Sequence, residues 1–169
     1  VCSVDFGAGC STVLTPVRDH GAVYLPTRYL KPRLMAIKLE DAVGDVTKTH
    51  VKWESKRDIP ATPSFVIKKD TIYLITDSGK LSAIDKKDGD RLWVESLKRN
   101  FSASPMLVGD HFYSFTEEGI GYVHEVSTKG AKQIAENDFG EPVFATPIIF
   151  DKGMIVRSET TLWRIKGNQ

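Results

Sequence analysis

Lys80-Leu81-Ser82-Ala83-Ile84-Asp85, then Lys86-Lys87-Asp88-Gly89, then Asp90-Arg91-Leu92-Trp93-Val94-Glu95 is the stretch on which the fold turns. The first six residues alternate apolar and polar, as a half-buried strand does. Four polar residues follow, ending in a glycine free to take positive φ, and a second strand begins. Working back toward the N-terminus, Thr71-Ile72-Tyr73-Leu74-Ile75-Thr76 is a β-branched and aromatic strand closed by Asp77-Ser78-Gly79. Before it, Ser64-Phe65-Val66-Ile67 is a short apolar strand closed by Lys68-Lys69-Asp70. Four short strands joined by tight turns make an antiparallel meander.

The unit recurs. Leu14-Thr15-Pro16, Ala61-Thr62-Pro63, Ala103-Ser104-Pro105 and Ala145-Thr146-Pro147 place prolines 47, 42 and 42 residues apart. In the third copy, strands follow at Pro105 to Val108, His111 to Phe115, Gly121 to Val126 and Lys132 to Ala135. The first copy has strands at Ala22 to Leu25 and Leu34 to Ile37, then a longer loop to Val51-Lys52-Trp53. The fourth offers Ile148 to Phe150, Gly153 to Val156 and Leu162 to Ile165.

Four antiparallel strands in such a period are what a β-propeller blade requires. One blade cannot bury both faces; stacking blades around an axis buries each against its neighbours. A sandwich has no need of the recurring phrase. The fold expected is all-β, one domain over 1–169, with repeats at approximately 11–57, 58–99, 100–141 and 142–169. That is about three and a half to four blades of a seven- or eight-bladed ring. N-terminal blades of the same chain, or another copy, are expected to close it. The last copy reaches four strands, and a four-bladed ring becomes feasible, only if residues 1–9 supply one.

Composition narrows the function. Lys and Arg number 23 against 22 Asp and Glu, a net charge of +1. Such balance gives no electrostatic case for nucleic acid or an anionic membrane. No apolar run of 18 residues suggests a transmembrane helix. Cys2 and Cys10 are close enough in sequence to pair across a turn or to stand as two free thiols, and a bridge would suit an exported protein. No histidine accompanies them at zinc-ligand spacing.

The set Ala83, Asp85, Gly89 and Trp93 resembles the tryptophan-docking motif of quinoprotein-type (PQQ-like) propeller repeats. Its physical role is structural. Ala83 is small where blades approach, Asp85 accepts hydrogen bonds from turn backbone, and Gly89 permits the turn. Trp93 packs between blades with its indole N–H seeking an acceptor. The first copy keeps Ala36 and Trp53 but has Lys38 for the aspartate, and the third has lost both Asp and Trp. The phrases Gly44 to Trp53, Asn100 to Pro105 and Leu162 to Ile165 resemble the BamB-like proteins of planctomycete-type bacteria. The resemblance implies a non-catalytic, exported, periplasmic or envelope-associated scaffold. It would bind other proteins through rim or blade edges, in the manner of outer-membrane protein assembly, with no cofactor.

Two alternatives stand beside it: a PQQ- and Ca²⁺-dependent dehydrogenase, and the ligand-sensing part of a larger chain. The available acids, Asp5, Asp138 and Glu141, share no motif, and His20, His50, His111 and His124 fall in unlike places of their repeats. No catalytic or metal-binding residue is assigned. Thr15, Thr62, Ser104 and Thr146 precede the prolines, where hydroxyls would ring a channel mouth to bind a polar ligand or would cap strand starts. The most distinctive polar loop, Asp45, Thr47, Lys48, Thr49 and His50, reads either as a rim binding loop or as a turn satisfied by its own side chains.

Overall fold

The computed structural model describes residues 1–7, 13–27, 32–151 and 153–166. Every regular element among them is a strand. Among the described residues no helix is long and apolar enough to cross a membrane.

The strands form propeller blades in chain order. Apart from β1 (Cys2–Ser3), the first blade comprises β2 (Val17–Asp19), β3 (Ala22–Thr27), β4 (Arg33–Lys38) and β6 (Val51–Ser55). A short β5 (Gly44–Asp45) lies inside its long loop. The second blade is β7 (Val66–Lys68), β8 (Thr71–Ile75), β9 (Lys80–Asp85) and β10 (Arg91–Ser96). The third is β11 (Met106–Val108), β12 (His111–Phe115), β13 (Ile120–Ser127) and β14 (Gly130–Asp138). The fourth shows three strands, β15 (Ile148–Phe150), β16 (Gly153–Arg157) and β17 (Leu162–Lys166).

The N-terminal segment does not complete the fourth blade. β1 pairs parallel with β5, in the first blade's loop. Backbone bonds from Gly44 to the Val1 carbonyl (3.0 Å) and from Val46 to the Ser3 carbonyl (2.9 Å) hold it there. The pairing satisfies backbone donors and acceptors of the inserted loop that would otherwise need water.

Registers show how alike the blades are. The cross-strand row is Val17, Tyr24, Ala36, Trp53 in the first blade and Val66, Tyr73, Ala83, Trp93 in the second. In the third it is Met106, Tyr113, Val123, Ala135. Each of these blades carries a bulge beside this row, between the third and fourth strands. A bulge adds one unpaired residue and twists the edge strand, which re-aims the side chain next to it.

The core lies between blades rather than within them. Tyr24, Leu34, Ala36 and Trp53 of the first blade pack with Ile72, Leu74 and Ile84 of the second. Tyr73, Ile75, Leu81 and Ala83 pack with Phe112, Tyr122 and Val126 of the third. Phe115 and Val143 meet Met154 and Val156 at the third seam. The middle strand β8 is therefore buried at every residue, while the outer strand β10 is largely exposed. This is the two-sided burial that a stacked blade requires.

Candidate functional site

The seams are built from the docking residues. The Trp53 indole N–H donates to the Lys86 carbonyl of the next blade at 2.9 Å, and the Trp93 indole N–H donates to the Ser127 carbonyl at 2.8 Å. Each ring also leans on its own blade's tyrosine, with centroids 5.9 Å apart for Tyr24–Trp53 and 6.2 Å for Tyr73–Trp93. Gly89 does more than turn the chain. Its φ is +81°, and a Cβ there would fall 2.5 Å from Trp53 Cε3. The glycine of one blade is thus the seat of its neighbour's tryptophan. Asp85 closes the same turn, its carboxylate accepting from the Lys87 N–H at 2.8 Å and its carbonyl from the Gly89 N–H at 2.9 Å.

Ion pairs reinforce the seams. Lys86 of the second blade meets Asp19 of the first at 2.7 Å, and Lys68 meets Asp110 of the third. Asp58, in the connection between the first two blades, takes Lys80 and Arg91 at 2.6 Å each. The hydrogen bond from Lys80 holds the Asp58 carboxyl below its ordinary range, with Arg91 adding to it.

Hydroxyls at the start of the innermost strands form a ladder from blade to blade. The Thr15 N–H donates to Ser64 Oγ (3.1 Å), the Ser64 N–H to Ser104 Oγ (2.9 Å) and the Ser104 N–H to Thr146 Oγ1 (3.2 Å). The member from the second blade is Ser64, where the proline phrase points to Thr62. The strand register explains the difference. Thr15, Ser104 and Thr146 stand two residues before Val17, Met106 and Ile148, which open their strands; Ser64 stands two before Val66. The second blade carries two extra residues between Pro63 and its strand, so its phrase is out of step. The serine after Pro63 was the available signal. Beside the ladder, the first strands of three blades border an open cavity of about 640 Å³, lined by Val17, Asp19, Val66, Lys68 and Leu107 among others.

The loop of Asp45, Thr47, Lys48, Thr49 and His50 is bonded to itself and to β1's extension. Asp45 Oδ1 accepts from the Thr47 hydroxyl (2.6 Å) and the Thr47 N–H (3.0 Å), which lowers its carboxyl from the ordinary range. Thr47 Oγ1 in turn accepts from the Asp5 N–H at 2.7 Å. His50 bridges Thr49 Oγ1 (2.7 Å) and the Glu40 carbonyl (3.2 Å). Lys48 is exposed on this rigid turn.

The acids have separate partners: Asp5 and Asp138 each close a local turn, and Glu141 reaches across to the connection between β16 and β17. Asp5 accepts from the Gly7 N–H at 2.7 Å and Asp138 from the Gly140 N–H at 2.8 Å. Glu141 accepts from Ser158 Oγ (2.8 Å), the Thr160 N–H (2.8 Å) and Thr160 Oγ1 (2.7 Å). Hydroxyls of Thr161, Thr160 and Ser158 around it pull its carboxyl down to about 2. Among the described residues no three His, Cys, Asp or Glu side chains converge as metal ligands. His20 and His111 are exposed, whereas His124 is 1% exposed and its Nδ1 has no partner among the described residues. Burial pushes the His124 imidazole below its ordinary range against the pull of Glu95. Cys2 is exposed in β1, and Cys10 lies outside the described residues, so their pairing is not described.

With blades, seams and ladder in place, comparison with known proteins decides the family. The family model described as outer membrane protein assembly factor BamB matches residues 42–116 and 77–168. The chain belongs to the BamB family. The protein named outer membrane protein assembly factor BamB from Yersinia pestis is 24% identical over 150 residues, which is 87% of this chain and 35% of that protein. The chain thus spans about a third of the length of the curated BamB proteins it matches. Among solved structures, BamB from Moraxella catarrhalis superposes with a TM-score of 0.66 at 13% identity, covering 86% of this chain and 40% of that one. A europium-containing methanol dehydrogenase superposes with a TM-score of 0.55 at 15% identity, covering 72% and 23%. The BamB fold is therefore shared with an enzyme, and fold alone does not choose between scaffold and catalyst.

Proposed function

We propose that this chain is part of a non-catalytic BamB-type scaffold that binds other proteins through its rim and blade edges in the cell envelope, in outer-membrane protein assembly. The observation that carries this is the ladder of Thr15, Ser64, Ser104 and Thr146. The hydroxyls of Ser64, Ser104 and Thr146 are spent on neighbouring backbone, so they serve cohesion between blades. The acids support the same reading, since Asp5 and Asp138 are committed to their own turns and Glu141 to the connection between β16 and β17. What is left for recognition is the rim, where Lys48 is exposed on its turn. Location in the envelope and function without a bound cofactor are parts of this proposal, supported by the family.

The test titrates the metal-stripped protein with PQQ and Ca²⁺ by calorimetry and follows dye-linked alcohol oxidation. The scaffold reading expects no saturable uptake and no turnover. Saturable binding with turnover would overturn it. In parallel, a photoreactive residue at position 48 is expected to cross-link in cells to components of outer-membrane protein assembly.

A further inference from the structure

The second seam, between the second and third blades, departs from the repeat in polarity. Strand register matches one position across the four blades as Ile37, Ile84, His124 and Ile165. A second position reads Leu25, Leu74, Ser114 and Val156. Three blades hold aliphatic residues at both places; the third blade holds a histidine and a serine. Both face the second blade. His124 alternates with Tyr122 and Val126 along β13, and Ser114 with Phe112 along β12, and all three of those neighbours belong to the second seam's core. His124 is 1% exposed and Ser114 0%. His124 Nδ1 and Ser114 Oγ meet no hydrogen-bond partner among the described residues. A buried polar atom without a partner weakens packing that isoleucine or leucine would complete.

The surroundings decide how His124 responds to acid. The titratable groups of the seam's core are the phenols of Tyr73 and Tyr122, the latter with its ring centroid 6.0 Å from the imidazole. Charged groups stand at the margins. Glu95 on β10 is exposed and reaches across the seam, accepting from the Ala131 N–H at 3.2 Å. Gln133, opposite His124 on β14, is exposed and donates to Glu136 at 3.1 Å. The Lys68–Asp110 pair crosses the seam at the inner strands, and Lys98 and Arg99 are exposed in the connection that carries Phe101. His111, Glu125 and Lys132 alternate with seam-facing residues and point to the other face. Burial outweighs the attraction of Glu95 and disfavours the imidazolium in the closed seam.

We propose that the second seam is an acid-sensitive joint: uptake of a proton by His124 loosens the contact between the second and third blades while the first seam holds. Blades contact only their neighbours, so one seam can open ahead of the rest. Opening gives the imidazolium water, and the open form gains population as pH falls through the ordinary histidine range. The rims of the two blades then shift relative to each other, which places any surface spanning this seam under the control of pH. The joint is independent of whether the protein is a scaffold or an enzyme.

The seams carry their own reporters. The Trp93 indole N–H crosses the second seam to the Ser127 carbonyl, and the Trp53 indole N–H crosses the first to the Lys86 carbonyl. Solvent exchange of both indoles is measured by ¹⁵N NMR on the full chain at about pH 7.5 and about pH 5.5, on either side of the ordinary histidine value, and corrected for intrinsic exchange. Protection of Trp93 is expected to fall about three- to tenfold at the lower pH, the span linkage allows about one unit below that value. Protection of Trp53 is expected to stay the same. His124→Ile, which restores the residue of the other three blades, should abolish the fall at Trp93. Should that variant fail to fold, the ring resonances of His124 in the unaltered chain give a second measurement. Their midpoint is expected below the ordinary histidine range and in step with the loss at Trp93. Four results would overturn the proposal: unchanged protection of Trp93, equal losses at Trp53 and Trp93, a loss that persists in folded His124→Ile, or an ordinary midpoint for His124.

Discussion

Replacing Gly89 with alanine isolates the seat of a docking tryptophan. The new Cβ meets two costs. The first is backbone: φ is +81°, and holding an L-residue in the left-handed region costs about 1 kcal/mol. The second is steric. The Cβ would stand 2.5 and 2.7 Å from Trp53 Cε3 and Cδ2, so the ring must leave. Its hydrogen bond to the Lys86 carbonyl is worth about 1 kcal/mol, and its contact with Tyr24 about 1 kcal/mol more. The expected loss is roughly 3 kcal/mol by these terms. Gly21→Ala is the control, with φ of +76° and nothing within 4 Å of the added carbon; it should cost only the backbone term, about 1 kcal/mol. Urea unfolding followed by far-ultraviolet circular dichroism measures both. Repeating Gly89→Ala in a Trp53→Leu background should recover about 2 kcal/mol of the loss as coupling between the two sites. Equal costs for the two glycines, or no coupling to Trp53, would refute the seat.

Trp93→Phe removes the indole donor to Ser127 and should destabilise by about 1–2 kcal/mol in the same urea assay; an unchanged midpoint would count against the bond. Ser104→Ala leaves the Ser64 N–H without its acceptor and is expected to cost about 1 kcal/mol. Thr62→Ala, outside the ladder, should stay within about 0.5 kcal/mol, and the reverse order would sink the register argument. His124 has a folded pKa below its unfolded value, so the unfolded chain binds the extra proton first. Stability is then complete above the ordinary histidine range and falls as pH drops through it. A His124→Phe variant should show a flatter melting-temperature profile between neutral pH and pH 5. Glu141, held at about 2, should contribute stability that is complete above the ordinary glutamate range and is lost progressively as pH falls from that range toward 2; Glu141→Gln removes that acid dependence in a pH melt.

Much of this fold was legible because propeller blades are written locally. Strand, turn and strand follow within one repeat, and β-branched residues with glycine turns mark each piece. The docking set was legible for the same reason, since Ala83, Asp85, Gly89 and Trp93 lie on one hairpin. What lay hidden is long-range. That Gly89 seats Trp53, rather than only serving its own turn, depends on contact between blades 36 residues apart in sequence. The ladder was half visible: three of its four residues precede prolines, but the two-residue insertion after Pro63 displaced the fourth to Ser64. Proline marks where a strand cannot begin pairing; it does not fix how far beyond it the ladder starts. The pairing of β1 with β5 had no sequence signal, because two-residue bridges are set by geometry and not by periodicity.

The seams also imply where such a molecule differentiates. In a repeat protein each blade is stabilised chiefly by its neighbours, so a seam that loses its docking ring loses local stability without disturbing the others. The first two seams retain a tryptophan, a carbonyl acceptor and a cross-blade lysine–aspartate pair. The third retains Phe115, Phe139 and Trp163 in edge-to-face contact but has Ala135 at the docking position. A ring taken out of a seam leaves apolar walls that the hydrophobic effect still drives to be covered. Repeats conceal such walls by filling every seam alike. Departure from the repeat at Ala135 therefore leaves the third seam to be held by its own aromatic contacts.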